Sequence, residues 1–351
     1  MIEIDGSYGE GGGQILRGAV FLSCITGTPV KVSRIRGKRP NPGLQAQHLV
    51  GLKAAAAVSG ATLEGAEIGS CEVKFSPGKV VGGEYAFDVG TAGSTMLIAQ
   101  ELVPILAFGD RKSVVRLRGG TDVPWSPPVD YFKNVSIPAF QKMGVDVALE
   151  LIRRGHYPRG GGEIILSVSP AVGIMPIRAV YRGEVGGIRG ISHCTNLPTH
   201  VASRQASAAE RELRQYGYRD IRITTDVGTN RLGGPGSGIT LWADTTTGIR
   251  VGADSLGSRD RRAEEVGILA ARKLIAELQS GMALDSHLAD MMIPLAALAE
   301  GHSEMGVSDL TPHSKTMMWL CTKMLGTEFK VELLDGRGAL VSVEGKPHRP
   351  G

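Results

Sequence analysis

The chain contains the stretch Val32-Ser33-Arg34-Ile35-Arg36-Gly37, and the similar stretch Val115-Arg116-Leu117-Arg118-Gly119 follows it within the first half of the sequence. Arg36 and Arg118 are 82 residues apart, and the aspartates at positions 5 and 88 are 83 apart. A near-constant offset of this kind is typical of an internal repeat. The sequence therefore predicts that one structural unit has been duplicated.

Hydrophobic periodicity extends this unit in both directions. In each copy a strand and a helix precede the arginine-containing strand, and a loop, a second helix and two further strands follow it. The first copy covers residues 2–75 and the second covers residues 84–169. The unit is therefore β-α-β-α-β-β. Its predicted helices lie at 14–26, 43–59, 93–108 and 128–143, and predicted strands lie at 29–35, 85–88 and 113–118.

A third copy is present but interrupted. Its opening strand lies near residues 177–181, and the rest follows only after about a hundred residues, which is too long for a loop inside a compact domain. The sequence predicts an α/β fold of three repeats, with residues 1–184 and 279–351 in one catalytic domain. Residues 185–278 form a smaller inserted α/β domain, with predicted strands at 220–224, 238–244 and 249–253 and helices at 199–216 and 260–279.

Composition narrows the class of protein. The 351 residues are 42% hydrophobic and 5% aromatic, and the formal net charge is +4, a mild basic bias that permits an anionic ligand. The four cysteines form no CxxC pair, so neither a disulfide framework nor a cysteine zinc site is predicted. Apolar stretches are too short to cross a membrane, and we expect a cytoplasmic protein without a signal peptide or membrane partner.

Two distant segments carry the candidate chemistry. Residues 5–17 read Asp-Gly-Ser-Tyr-Gly-Glu-Gly-Gly-Gly-Gln-Ile-Leu-Arg, a glycine-rich loop that opens a helix and suits a phosphate. Residues 311–316 place His313 in a loop just before another helix. Taken alone, the glycine run fits neither a P-loop nor a dinucleotide fingerprint, and a lone loop histidine is usually not catalytic. Similarly, Arg36, Lys38 and Arg39 taken alone are typical of a solvated basic loop.

Taken together, these segments resemble the RNA 3′-terminal phosphate cyclases over nearly the whole chain. The matching pieces are residues 5–17, 36–48, 119–122, 156–162, 288–290 and the His313 loop. The resemblance implies an enzyme that uses ATP and a divalent metal, Mg²⁺ or Mn²⁺, on RNA 3′-phosphate ends. It implies a histidine–AMP intermediate at His313, transfer of AMP to the RNA 3′-phosphate, and attack by the 2′-OH to give a 2′,3′-cyclic phosphate.

The resemblance also implies roles for individual residues. The essential catalytic set corresponds to Glu10, Arg17, Arg39, Gln47 and His313, with Glu10 as the metal ligand. Nucleotide binding corresponds to Arg36, Gln100, Pro127, His287 and Asp290. Bacterial members carry a tyrosine that stacks on adenine at the position of His287, and a histidine ring offers a smaller stacking area.

Three other functions stay open at this point. A cyclase-like relative without catalysis acts in ribosome assembly, but it lacks the nucleophile that His313 would provide. Repeats of the β-α-β-α-β-β type also build enolpyruvyl transferases, which bind small anions and need no nucleophilic histidine. A pure RNA-binding scaffold receives little support from the modest charge and few aromatics. The sequence leaves the RNA substrates, the strictness of ATP preference and the role of the insert undetermined, and it leaves a homodimer open.

Overall fold

The computed structural model describes residues 1–334 and 338–348, which form four four-stranded mixed sheets. The first repeat has one sheet and two helices, with the strand order β1-β2-β4-β3. Strand β1 is parallel to β2, and the other neighbours are antiparallel. Its elements are β1 (Ile2–Asp5), α1 (Gly13–Thr26), β2 (Val30–Ser33), α2 (Ala46–Ser59), β3 (Thr62–Glu64) and β4 (Val73–Ser76).

The second repeat has the same topology. Its sheet has the order β5-β6-β8-β7, again with one parallel pair followed by two antiparallel pairs. Its second helix contains a π-helical turn at Phe132–Ser136 between two α-helical pieces. The other elements are β5 (Glu84–Asp88), α3 (Thr95–Ala107), β6 (Ser113–Gly119), α4 (Val129–Tyr131), α5 (Ile137–Lys142), β7 (Val147–Arg153) and β8 (Gly162–Val168).

The third repeat opens with β9 (Arg178–Ala179) and is then interrupted by a four-stranded sheet and two helices. These additional elements are β10 (Val185–Thr195), α6 (His200–Gln215), β11 (Ile221–Gly228), β12 (Gly236–Thr245), β13 (Val251–Leu256) and α7 (Ala263–Gln279). The repeat then continues with α8 (Ser286–Ala297), β14 (His302–Val307), α9 (Pro312–Leu325), β15 (Phe329–Leu334) and β16 (Gly338–Glu344). Its strand order, β9-β14-β16-β15, matches the other two, so the prediction of three β-α-β-α-β-β repeats is confirmed.

The longest strand of the insert was not predicted. Strand β10 has 11 residues and lies between β11 and β12 in the insert's sheet, whose order is β11-β10-β12-β13. Glycines at positions 186, 187 and 190 weaken its strand propensity. A second cluster of buried apolar side chains lies wholly between Ile188 and Leu278. On that ground we propose that residues 185–278 are the inserted domain.

The alignment of Arg36 with Arg118 is wrong in structural terms. In the first repeat Asp5 lies opposite Ser33, whereas in the second repeat Asp88 lies opposite Arg118. Arg118 is therefore a strand residue, while Arg36 lies in the loop beyond β2 with φ +53°. The sequence offset finds the repeat but does not fix the register of the loops.

Helix α1 is the central helix of the repeat-built body. It packs against α2 and α3 and against α9 of the third repeat. The approach to α9 is close, because a Cβ at Gly18 would lie 2.6 Å from Leu320 Cδ2. This packing brings the beginnings of α1 and α9 to the same end of the molecule.

A buried ion cluster joins the repeat-built body to the insert. Arg154 is 6% exposed and donates to Asp130 over 2.7 Å, to Asp226 over 2.8 Å and to Asp122 over 3.3 Å. Asp226 lies on β11 of the insert, whereas Asp122 and Asp130 belong to the second repeat. Asn230 of the insert donates to the Arg154 carbonyl over 2.9 Å. One guanidinium therefore holds three carboxylates across the junction.

We expect Arg154→Met to destabilise the protein strongly, because it leaves the Asp122 and Asp130 carboxylates buried without their cation. The loss in free energy of unfolding should be about 3–5 kcal/mol, measured by urea denaturation. Arg214→Ala, which removes an exposed pair with Glu210 on α6, is the control and should cost at most about 0.5 kcal/mol. Equal effects of the two substitutions would contradict the proposed role of Arg154.

Candidate functional site

His313 lies in the first turn of α9 and is held by Gln14 in the first turn of α1. The Gln14 amide nitrogen donates to the His313 carbonyl over 3.2 Å, which orients the amide. The amide oxygen then faces His313 Nδ1 at 2.7 Å. Because an amide oxygen only accepts hydrogen bonds, Nδ1 carries the proton. In the neutral form of the ring, the lone pair is therefore on Nε2.

The Nε2 side of His313 faces charged groups of the first repeat. Glu10 Oε2 lies 3.4 Å from His313 Nε2 and 3.4 Å from the Arg39 guanidinium. All three side chains are 40–45% exposed, so this edge of the site is open to solvent and to a ligand. The structure thus brings together three of the predicted catalytic residues.

Asp290 organises the first turn of α9, which carries His313, whereas the sequence predicted a loop just before this helix. Its Oδ1 accepts from Thr311 Oγ1 and from Ser314 Oγ, each over 2.6 Å. Thr311 also caps α9, accepting from the Ser314 N–H over 2.9 Å. Burial raises the pKa of Asp290, against the lowering effect of the two hydroxyl donors. In the described contacts Asp290 supports the start of α9, where His313 lies.

The glycine-rich loop is held close to its neighbours. Gly9 and Gly11 have φ values of +55° and +59°, which glycine adopts without strain. A Cβ at Gly9 would lie 2.5 Å from Thr316 Oγ1, and a Cβ at Gly13 would lie 2.2 Å from His48 Nε2. The Tyr8 ring stacks on Trp319 of α9 with centroids 3.9 Å apart. The position of the glycine-rich loop therefore depends on the absence of side chains at Gly9 and Gly13 and on the contact of Tyr8 with α9.

Four helices begin around this loop. Gln14 links the start of α1 to the start of α9, and His48 in the first turn of α2 lies against Gly13. Gln47 Oε1 accepts a hydrogen bond over 3.0 Å from the N–H of Ser94, the residue that caps α3. None of these four helices, all within the described part of the chain, has an acidic residue in its first turn. Helix N-termini carry partial positive charge and free N–H groups. The region therefore favours an anion.

Arg17 adds a full positive charge. Glu101 of α3 is 3% exposed, and burial raises its pKa to about 8, with Arg17 opposing the shift. Glu101 is therefore mostly protonated at neutral pH and does not neutralise Arg17. Within residues 1–334 and 338–348, Arg17 has no ion pair within 4 Å. Burial also lowers the pKa of Arg17 itself, which makes a bound anion more favourable there.

The other predicted residues have contacts elsewhere in this region. Arg36 donates to the carbonyls of Asn41 and Gly43, within its own loop. Gln100 of α3 lies with its amide nitrogen 3.2 Å from Met291 Sδ of α8. No hydrogen bond in the described residues links Arg36 or Gln100 to His313. Both residues therefore stay predictions as ligands of a nucleotide.

The sequence predicts that Pro127 and His287 take part in nucleotide binding, with the His287 ring stacking on the adenine. Pro127 is half-buried and accepts from Ser126 Oγ through its carbonyl over 3.2 Å. His287 begins α8 as an exposed residue, and its ring meets Tyr131 edge-on with centroids 6.3 Å apart. Each residue therefore has a ring near the helix N-termini, and its role in nucleotide binding stays a prediction.

A buried group that the sequence analysis did not single out could hold a metal ion. Asp122, His156 and His193 offer ligand atoms that all lie within 4.8 Å of one another. Both ring nitrogens of His193 are buried without a hydrogen-bond partner among the described atoms. The residues come from both sides of the insert junction, so no local sequence spacing could have revealed the group.

His48 should make stability depend on pH. Burial, with Arg17 and Arg36, lowers its pKa from 6.5 to about 3 in the folded chain. Below about pH 6.5 the His48 imidazole takes up a proton in the unfolded chain but not in the folded chain. The contribution of neutral His48 to the free energy of unfolding is therefore present above pH 6.5 and is lost as pH falls. We expect the free energy of unfolding to fall by about 1.4 kcal/mol per pH unit below pH 6 on this account.

His48→Gln should remove that part of the pH dependence in urea unfolding between pH 7.5 and 4.5. His302→Gln, at a ring that is 45% exposed on β14, is the matched control and should keep the wild-type slope. Identical pH profiles for wild type and His48→Gln would show that His48 does not stay neutral in the folded state.

Comparison with known proteins gives a consistent result. The family model for RNA 3′-terminal phosphate cyclase matches residues 8–331. The RNA 3′-terminal phosphate cyclase of Methanopyrus kandleri is 48% identical, with 98% of each chain covered. The protein of the same name from Staphylothermus marinus is 49% identical over 96% of each chain, and that from Archaeoglobus fulgidus is 49% identical over 95% of this chain and 98% of its own.

Similarity to solved structures is weaker. The enolpyruvyl transferase NikO from Streptomyces tendae is 13% identical, and the match covers 48% of this chain and 33% of that one. Its TM-score of 0.29 is too low to bear on the fold. No helix in the described residues combines the length and the apolar character needed to cross a lipid bilayer. The family match and the near-complete relatives establish that this chain belongs to the RNA 3′-terminal phosphate cyclase family.

Proposed function

We propose that this protein converts RNA 3′-terminal phosphates to 2′,3′-cyclic phosphates with ATP, through AMP bound covalently to His313 Nε2. The observation that carries the proposal is the His313–Gln14 hydrogen bond, which leaves the Nε2 lone pair free beside Glu10. Family membership and the names of the relatives support this activity over the alternatives that the sequence left open.

In the first step, His313 Nε2 attacks the α-phosphorus of ATP and the bond to pyrophosphate breaks. A neutral imidazole is a competent nucleophile at neutral pH. As Nε2 bonds to phosphorus the ring becomes cationic, and the Gln14 oxygen stabilises the Nδ1 proton. Displacement at phosphorus also requires positively charged groups next to the oxygens of the transferred phosphate and of the leaving pyrophosphate. Arg17, Arg39 and the N-termini of α1 and α9 would supply it.

In the second step, an oxygen of the RNA 3′-phosphate attacks the adenylate phosphorus, and the bond to Nε2 breaks to regenerate His313. The product is an RNA–adenylate anhydride. In the third step the neighbouring 2′-oxygen attacks the RNA phosphorus and loses its proton. AMP leaves, and the ring of the 2′,3′-cyclic phosphate closes. We propose that Gln47, in the first turn of α2 and hydrogen-bonded to Ser94 at the start of α3, takes part in binding these phosphates.

A divalent metal fits the Glu10 side of the site. Mg²⁺ and Mn²⁺ prefer oxygen ligands, and the Glu10 carboxylate is 40% exposed next to His313. Such an ion would supply positive charge to the phosphate oxygens. The buried group of Asp122, His156 and His193 differs, since its nitrogen ligands suit metals such as Zn²⁺ and the group touches neither Glu10 nor His313 among the described contacts.

The nucleotide base would lie between the second and third repeats. We propose that Pro127 and His287 enclose it, because each presents a ring at this edge, and that Gln100 and Asp290 line the same pocket. Arg36 would reach the phosphates from its loop. The edge-on contact with Tyr131 fixes the His287 ring from one side only. ATP specificity would therefore depend on the free face of that ring.

We predict that His313→Asn abolishes AMP attachment and leaves the fold intact, because the amide has no nucleophilic nitrogen. The measurement is intact-protein mass after incubation with ATP and Mg²⁺, with circular dichroism to check folding. His302→Asn, at an exposed histidine of the same repeat, is the control and should be adenylylated like wild type. A folded His313→Asn variant that still gains AMP at normal yield would contradict the proposal.

A further inference from the structure

A cavity of about 260 Å³ lies where the second repeat meets the insert. Three arginines line it, Arg118 from β6, Arg153 from β7 and Arg159 from the loop before β8. Leu232, in the insert loop between β11 and β12, forms another wall. The proposed steps at His313 do not use this cavity.

The cavity has an excess of positive charge. Glu163 is 1% exposed, and its carboxylate accepts a hydrogen bond from Arg116 and forms ion pairs with Arg153 and, at 3.4 Å, with Arg118. Burial would raise the pKa of Glu163, but the Arg116 hydrogen bond and the neighbouring arginine charges outweigh burial and lower it. Asp88 also lines the cavity, so the three lining arginines, Arg118, Arg153 and Arg159, face two carboxylates, Glu163 and Asp88, and positive charge remains in excess. Arg159 has no carboxylate within 4 Å in the described part of the chain.

The cavity has a clear place in the repeat frame. It lies at the carboxyl ends of β5 and β6, where Asp88 pairs opposite Arg118. In the first repeat the corresponding strand ends lead into the glycine-rich loop of Glu10. The second repeat therefore presents a glycine-containing loop, residues 89–93, and an arginine-lined cavity at the equivalent position.

This loop connects the cavity to the proposed catalytic end. Gly90 and Thr91 line the cavity, and Gly93, two residues further on, is so close to Gln47 that a Cβ would lie 2.9 Å from its Cβ. The next residue, Ser94, donates its backbone N–H to Gln47 Oε1 at the start of α3. A chain bound at the His313 end could therefore continue along residues 89–93 into the cavity.

An exposed aromatic side chain flanks the same α3 N-terminus. Trp125 is 96% exposed and has φ +61°, an uncommon conformation for a large side chain. The next residue, Ser126, is hydrogen-bonded through its hydroxyl to Ser94. Proteins that bind single-stranded nucleic acid combine a basic groove for the backbone with aromatic platforms for the bases. Trp125 and the arginine cavity provide both elements near one helix start.

We propose that this cavity binds a phosphodiester group of the RNA upstream of its 3′-phosphate, with Trp125 stacking on a base of the same RNA strand. The inference rests on the proposed function, since it assigns further contacts to the same RNA substrate. Guanidinium groups bind phosphate oxygens through paired hydrogen bonds and carry no sequence preference in doing so. Because Leu232 lines the cavity, the insert would then contact the bound RNA as well.

The test is the binding of a 5′-fluorescein-labelled, 12-nucleotide single-stranded RNA with a 3′-phosphate, followed by fluorescence anisotropy over a range of salt concentrations. For the double variant Arg118→Gln/Arg159→Gln we expect a Kd raised about tenfold at low salt. The slope of log K against log salt should fall by about 0.7 for each RNA phosphate that the variant no longer neutralises. Arg153 stays in place to hold Glu163.

Three comparisons make the test specific. Arg222 is an exposed arginine at the end of β11 opposite to the loop that carries Leu232. The control Arg222→Gln should keep the wild-type Kd and salt slope. Uridine 3′-phosphate, which has no upstream phosphodiester, should bind the double variant and wild type equally in competition with the RNA. AMP attachment from ATP should proceed in the double variant as in wild type. Trp125→Ala should weaken RNA binding without changing the salt slope.

An unchanged Kd and salt slope in the double variant would overturn the proposal. An equal loss of affinity for uridine 3′-phosphate would also overturn it, because that result would place the arginines at the terminal phosphate. Displacement of the RNA by a polyglutamate peptide at equal concentration would overturn it as well, because that result would favour an acidic protein partner. If wild type showed the expected RNA binding but gained no AMP, the proposed catalytic function would fail and the cavity assignment would stand.

Discussion

The hydrogen bond between His313 and Gln14 is the contact on which the candidate site depends. It spans 299 positions of sequence and ties the third repeat to the first. It also fixes the tautomer, since the amide oxygen holds the proton on Nδ1 and leaves Nε2 to react. The contact is available only because α1 and α9 pack against each other and begin at the same end. Packing of the repeats and reactivity of the imidazole are thus linked through a single side chain.

The three repeats share one topology but differ in what they contribute at that end. The first supplies the glycine-rich loop, Glu10 and the arginines, and the third supplies His313 in the first turn of α9 with Asp290 bonded to that turn. The second supplies the α3 N-terminus and the arginine-lined cavity. The starts of α1, α2, α3 and α9 meet without a first-turn acidic residue. Their combined partial charges give an anion site that no single repeat could form alone.

The insert is held to this body by buried charge. Arg154 bonds two aspartates of the second repeat and one of the insert, so separating the parts would expose or orphan charged groups. Leu232 of the insert also lines the arginine cavity. The same junction therefore serves both the stability of the assembly and the proposed RNA path.

The sequence predicts the repeats well because their signal is a constant spacing, which survives changes in individual residues. The family resemblance implies that Glu10, Arg39 and His313 belong to one catalytic set, and in the structure Glu10 lies 3.4 Å from both Arg39 and His313. Their catalytic roles stay a prediction. Gln14 was quoted within the motif but given no role, because the tautomer of His313 is decided by a contact across 299 positions. Strand β10 was missed because its glycines weaken the propensity signal. His48, Arg154 and the group of Asp122, His156 and His193 were missed because their partners come from distant segments.

The central claim is that His313 reacts through Nε2 because Gln14 holds the proton on Nδ1. The most direct measurement is nuclear magnetic resonance of ¹⁵N-histidine-labelled protein after incubation with ATP and Mg²⁺, reading which ring nitrogen couples to phosphorus. The account predicts a phosphorus–nitrogen coupling at Nε2 and a proton on Nδ1. Coupling at Nδ1, or AMP attached to any residue other than His313, would contradict it.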